Sequence, residues 1–317
     1  MPDQKESQSP ILIIGGAGFI GAELVRQLSK QHKFHLIVID NDSKRLLELD
    51  LPKSQKYCVS ACNTIEVFRI IEKERIKGII HFAANSDIKA GSLSSEFDFN
   101  NTLITSLVLS EIVKLRKFEF VLFASTSAVY GNEESAISLQ SPRFKVPISS
   151  YGWAKLASES ALKLATQESQ TPFILARFPN VVGPRPTHGV LYDFKAKLKS
   201  NSKVLEILGN GEQTKPYLHV DDLLKVLIRA IARSRVQVFT ELNIGPGDDL
   251  RLKELVEIVL EISGLTPEQK YGLTPHGWVG DVPSYSYGDS LPPEYSDLVL
   301  RGSAWAVRDA FFGFWND

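Results

Sequence analysis

The sequence predicts an α/β protein built on a doubly wound parallel sheet, and three observations carry that expectation. Apolar, β-rich runs alternate with helical patterns over roughly the first 180 residues. The runs are continuous rather than alternating, as strands covered on both faces are. The first of them leads through a glycine turn into a helix. Ile11–Ile14 is the first buried strand, followed by a helix over about Ala22–Gln31. His35–Ile39 is the next strand and ends at Asp40. Ile65–Arg75 reads as a helix, Gly78–Phe82 as a strand, and Asn101–Lys117 as a long helix whose Leu103, Leu107, Val108 and Ile112 share one face. Phe120–Ala124, a helix over about Tyr151–Glu168 and the strand Phe173–Ala176 complete the repeated units, joined by right-handed crossovers.

After Arg177 the texture changes. Pro179, Gly183, Pro184, Pro186 and Gly189 interrupt the pattern. Helices are expected at Asp193–Lys199, Asp222–Ala232 and Leu252–Ile262, with a short strand at Leu242–Ile244 that could return to the main sheet. The expected organisation is a polar, disordered leader over 1–10, a dinucleotide-binding domain over 11–180 and a smaller α/β substrate lobe over 181–317.

Composition narrows the partners. Thirty-six Lys and Arg against thirty-seven Asp and Glu leave a net charge of −1, without the cationic surplus that steers a chain onto nucleic acid or anionic lipid. The longest apolar stretch, Ile11–Val25, is broken by four glycines and falls short of a membrane span of about 20 residues. No basic and apolar targeting segment opens the chain. The two cysteines, Cys58 and Cys62, imply no disulfide framework and no zinc-like spacing. The expected setting is a reduced cytoplasm.

Gly15, Gly18 and Gly21 lie between the first strand and the first helix, the context a phosphate loop requires. Gly15 makes the tight turn, Gly18 lets backbone N–H groups approach a pyrophosphate, and Gly21 lets helix and sheet close up, the arrangement of a Rossmann sheet. About twenty residues on, Asp40 ends the second strand, where a carboxylate accepts hydrogen bonds from the adenosine ribose and repels a 2′-phosphate. That favours NAD over NADP; the alternative is a cap for a helix near Ser43.

Tyr151 and Lys155 stand four apart, hence on one helix face. The neighbouring ammonium is expected to lower the phenol from its usual ~10 and make it a base near neutrality. Ser125, Thr126 and Ser127 end another strand, and their hydroxyls can hold a substrate oxygen beside Tyr151. Strand-end capping is the alternative for Thr126.

Taken in order, the segments GGAGFIG at 15–21, VIDND at 38–42, HFAAN at 81–85, Asn101, STSAVYG at 125–131, SSYGWAK at 149–155, RFPNVVGP at 177–184, KPYLHVDD at 215–222, LNIGPG at 242–247 and GDV at 280–282 resemble the extended short-chain dehydrogenase/reductase family, in its nucleotide-sugar epimerase and dehydratase branch. The resemblance spans nearly the whole chain. It implies Tyr151 as base, Lys155 on the nicotinamide ribose and Thr126 as the hydroxyl that positions the sugar. It implies an NAD site of Gly15, Gly18, Phe19, Ile20, Gly21, Asp40, Asn41, Phe82, Ala83, Ala84, Asn101, Ser125, Tyr151, Lys155 and Phe178. The nucleotide-sugar would meet Asn85, Thr126, Ser127, Tyr151, Asn180, Lys215 and Tyr217. It further implies a homodimer paired through the helix near Asn101 and the helix of Tyr151, with Leu107, Leu156 and Leu162 as apolar positions that core packing explains equally well.

The chain also departs from that pattern. Ala61-Cys62 stand where an Asp-Ile or Asp-Val pair is usual, Lys215 where an arginine is common, and Trp278 precedes Gly280-Asp281 without an arginine nearby. Relatives that eliminate water carry titrating residues where this chain has Ser127 and Ala128. The expected reaction is therefore C4 epimerisation of a UDP-hexose, UDP-N-acetylhexosamine or UDP-hexuronate. A dehydratase, a 4-keto reductase and a non-catalytic dinucleotide binder remain the alternatives.

Overall fold

A computed structural model of the chain describes residues 9–30, 34–85, 91, 94–132, 135–138, 141, 146–278, 280–288 and 291–316. Most of the expected leader therefore lies outside the described residues. Seven parallel strands form the central sheet in the order β11-β6-β5-β4-β1-β2-β3: Phe239–Asn243, Phe173–Phe178, Phe120–Thr126, Gly78–His81, Pro10–Ile14, His35–Asp40 and Lys56–Cys58.

The continuous apolar runs are explained by the two cores they feed. Along β1, Ile11 and Ile13 pack into one buried cluster while Leu12 and Ile14 pack into the other. The first core takes Leu24, Val25 and Leu28 from the helix Phe19–Ser29, and Leu223, Leu224 and Leu227 from Val220–Arg233. The second takes Val67, Ile70 and Ile71 from Thr64–Lys73, Leu109, Ile112 and Val113 from Ile104–Leu115, and Leu162 and Ala165 from Ser150–Glu168. A third core, with Leu191, Phe194, Leu255, Val259 and Phe311, holds the helices Val190–Ser200, Leu252–Ser263 and Ser303–Trp315 together. No described helix is long and apolar enough to cross a membrane.

Two details differ from the sequence expectation. The helix expected from Asn101 starts earlier, at Ser95–Asp98, and passes through one π-helical turn, Phe99–Leu103, before Ile104–Leu115. The extra residue in that turn re-aims Asn101 and Thr102, and Thr102 Oγ1 accepts the backbone N–H of Asn85 at 3.0 Å. The helix Val220–Arg233 belongs to the first core rather than to the smaller lobe, because its apolar face covers β-sheet residues. β11 pairs with β6 along five residues, so the strand expected near Leu242 does return to the main sheet.

The order of β1, β4 and β2 reverses the direction in which strands are added. Glycine turn, Asp40, Phe82, Thr126 and Phe178 all sit at the carboxyl ends of strands around that point, where open α/β sheets bind ligands.

Candidate active site

Gly15 has φ 76° and donates its N–H to Ile39 O at 2.9 Å, which folds the loop back over β2. A Cβ here would lie 2.5 Å from Ala83 N, and one at Gly21 would lie 2.7 Å from Gly15 O. A Cβ at Gly18 would touch only Gly15 O, at 3.4 Å, so this residue faces the cleft. The Asp40 carboxylate accepts the Ala17 N–H at 2.9 Å and the Asp42 N–H at 3.0 Å. Capping of the short helix Ser43–Glu48 falls to Asp42, which accepts from Arg45 N.

The helix Ser150–Glu168 starts where it does because Ser149 caps it, its hydroxyl accepting the Gly152 N–H at 3.1 Å. Gly152 lets this first turn close on β5: a Cβ there would lie 2.7 Å from Ala128 O. Tyr151 is thereby brought beside Thr126, whose Oγ1 also caps the turn Ser127–Tyr130 by accepting Ala128 N–H at 3.2 Å. Lys155 is 2% exposed, donates to Ala124 O at 2.6 Å, and lies 4.8 Å from the Phe123 ring centre and 6.0 Å from that of Tyr151.

The pairing does not lower the phenol as expected. Burial, then the negative charge of Asp98, hold Tyr151 well above the ordinary tyrosine range, against a smaller opposing effect of the Thr126 hydroxyl. Burial lowers the Lys155 ammonium to about 7, Glu159 acting in the opposite direction. Desolvation, invisible in a four-residue spacing, outweighs the Coulomb attraction between neighbours here. Burial likewise lowers His81, behind Lys155, to about 3 and keeps it neutral.

Beneath this pair lies a buried ionic network. Arg177 binds Glu159 with two hydrogen bonds of 2.8 and 2.7 Å, reaches Tyr130 Oη at 3.1 Å and also pairs with Glu241. Ser125 donates its hydroxyl to Glu159. That hydroxyl, expected at the cofactor, is thus committed to the network behind the cleft. Asn101 likewise commits its Nδ2 to Phe97 O at 2.9 Å.

At the far end, Lys215 Nζ pairs with Asp281 Oδ1 at 2.5 Å, and Asp281 Oδ2 accepts Gly277 N–H at 2.9 Å. Trp278 lies under Lys215, its ring centre 5.1 Å from Nζ. Tyr217 is buried and held above the usual tyrosine range by that burial. Tyr285, pushed up to about 12 by burial, hydrogen-bonds Ser127 and the Asn180 backbone.

A single cavity of about 750 Å³ runs from Asp40 to Asp281 and is lined by every residue the sequence nominated for cofactor or substrate. Sequence reasoning missed Asp98, Glu159 and Tyr285, and marked Asp281 without giving it a role. Glu159, four residues past Lys155, was the one within reach of helix periodicity.

Residues 11–245 match the model of the NAD dependent epimerase/dehydratase family. The chain belongs to that family. It is 26% identical over 265 residues to an uncharacterized UDP-glucose epimerase of Bacillus subtilis, covering 80% of this chain and 82% of that one. It is 24% identical over 309 residues to the dTDP-D-glucose 4,6-dehydratase of Homo sapiens, covering 94% and 85%. Among solved structures, that of a UDP-galactose 4-epimerase superposes with a TM-score of 0.82 at 29% identity, covering 96% of this chain and 98% of that chain.

The NAD dependence of the family fits the residues present. The cradle at Gly18 stays open where a larger residue would fill it, and the helix Phe19–Ser29 begins there with no side-chain cap, its first N–H groups left for an anion. Asp40 stands at the end of β2 with its two oxygens fixed by backbone donors.

Proposed function

We propose that this member of the family is a nucleotide-sugar 4-epimerase acting on a UDP-hexose or a close relative, a UDP-N-acetylhexosamine or UDP-hexuronate. The observation that carries the reading is the wall beside Thr126. Among the described residues, Ser127 and Ala128, which follow Thr126 along the lining, carry no carboxylate. Eliminating water across C5 and C6 needs an acid for the leaving hydroxyl and a base for the C5 proton. Asp98, the carboxylate whose charge reaches Tyr151, does not line the cavity and has both oxygens engaged.

Gly15, Gly18, Phe19, Ile20, Gly21, Asp40, Asn41, Phe82, Ala83 and Ala84 would hold the adenosine and pyrophosphate of NAD, with Phe178 and Lys155 toward its nicotinamide end. When bound, NAD supplies a site that accepts a hydride from C4 and returns it, so no outside oxidant is consumed. Thr126 Oγ1 holds the C4 oxygen, Tyr151 Oη takes its proton, and the same phenol gives the proton back once the 4-keto sugar has turned its other face. Lys155, half-charged near neutrality, answers the cofactor's ribose and steadies the phenolate. Asn85, Ser127, Asn180, Lys215 and Tyr217 would bind the sugar and its nucleotide, Lys215 as a point charge shared with Asp281.

The likeness to UDP-sugar epimerases supports the uridine nucleotide. The test is to incubate purified protein with UDP-glucose, UDP-N-acetylglucosamine and UDP-glucuronate and follow the sugars by proton NMR. Inversion at C4, abolished in Tyr151→Phe, is expected. A 4,6-dehydrated keto product, or a pentose released with carbon dioxide, overturns the reading.

We also infer a homodimer through the helices Ile104–Leu115 and Ser150–Glu168. Exposed Ile104, Leu107, Trp153 and Leu164 support it, whereas Leu162 is sealed in the second core and takes no part. A monomer mass in light scattering rules it out.

A further inference from the structure

Asp98 is 1% exposed, on a helical turn next to the π-helical turn, and among the described residues no lysine or arginine pairs with it. A buried carboxylate without a cation is costly unless its hydrogen bonds are well made. Here they are. Asn85 donates its Nδ2 to Oδ1 at 2.6 Å, and Ser150 donates its hydroxyl to Oδ2 at 2.6 Å. Gly91 leaves the space for this arrangement, since a Cβ there would lie 2.4 Å from Oδ1 and 2.6 Å from Oδ2. Asn85 lines the cleft, and Ser150 immediately precedes Tyr151, which lines it too.

We propose that Asp98 is a positioning residue of the reaction centre, one carboxylate oxygen fixing the amide of Asn85 and the other fixing the start of the helix that carries Tyr151. This rests on the reading of Tyr151 as the base and deepens it. With Nδ2 fixed by Asp98, the amide of Asn85 cannot flip.

The carboxylate also acts through its charge. Facing Tyr151 are Asp98 from the Ser95–Asp98 turn, Lys155 from its own helix, the Thr126 hydroxyl from β5 and, behind Lys155, the neutral His81 at the end of β4. The cationic nicotinamide ring would, when bound, lower the proton affinity of Tyr151, and Asp98 raises it, so the carboxylate helps the phenolate keep the strength to take a sugar proton.

The test uses NAD-loaded protein with ζ-13C tyrosine, the Tyr151 signal being identified by its loss in Tyr151→Phe. Asp98→Asn is expected to lower the titration midpoint of Tyr151 by about one pH unit or more, while Asp98→Glu keeps it near that of the unsubstituted chain. If Asp98→Asn does not fold, the smaller and equally uncharged Asp98→Ser carries the same measurement. A midpoint in the uncharged variant that matches the unsubstituted chain overturns the proposal. The titration needs no sugar, so failure of every UDP-sugar to turn over would refute the epimerase reading and leave this result standing.

Discussion

Replacing Lys155 with methionine should make the protein more stable while removing its activity. Burial takes the ammonium from 10.5 to about 7 in the folded chain. At about 1.4 kcal/mol per pH unit, that displacement is worth roughly 5 kcal/mol, and at 2% exposure the side chain has little solvent to screen it. Methionine gives up the hydrogen bond to Ala124 O, about 1.5–3 kcal/mol for a charged donor. The balance favours the variant by about 2–3 kcal/mol near pH 7, or roughly 5 °C in melting temperature for a chain of this size. The sign follows from linkage. A depressed lysine contributes its full stability only above the unfolded value, near 10.5, and that contribution is lost as the pH falls toward 7. The gap between variant and unsubstituted protein should therefore be widest at pH 7 and below and close as the pH approaches 10. Scanning fluorimetry from pH 6 to 10, after any bound dinucleotide is stripped, measures it. Should Lys155→Met melt lower at pH 7, or the gap stay constant with pH, the ammonium is not desolvated as the geometry requires.

Two other substitutions test the frame around the cleft. Arg177→Met leaves Glu159 buried without its cation and should cost about 3–5 kcal/mol in urea unfolding; adding Glu159→Gln should recover part of that loss, and a double variant no better than the single one would count against the network. Gly15→Ala forces a side chain onto φ 76° and against Ala83 N. At a cost of about 1–2 kcal/mol or more, it should weaken NAD binding about tenfold or further by calorimetry, and unchanged affinity would show the loop is not where the dinucleotide sits.

What could be read from the sequence was local. Gly15, Gly18 and Gly21 follow from a turn between a strand and a helix, Asp40 from the end of the next strand, and Tyr151 with Lys155 from helix periodicity, so each needed only neighbouring residues. The strand runs announced a parallel sheet because both faces of Ile11–Ile14 are buried. What escaped was set by long-range packing. Asp98 meets Ser150 across 52 positions and Lys215 meets Asp281 across 66, distances over which no spacing rule operates. The direction of the Tyr151 shift failed for the same reason. Two side chains four residues apart say nothing of the depth at which the rest of the fold buries them.

The return of β11 to the edge of the sheet, after the chain has already built the short strands Asn180–Val182, Val204–Ile207, Thr214–Lys215 and Tyr217–His219 elsewhere, also has a consequence for anyone who would cut this protein. The dinucleotide half is not a cassette. Stopping the chain at residue 180 would remove the helix Val220–Arg233 with its Leu223, Leu224 and Leu227, and bare the apolar side chains they cover. Transplanting a different sugar pocket onto this scaffold therefore calls for exchanging loops one at a time, since the backbone is stitched back and forth between its two halves.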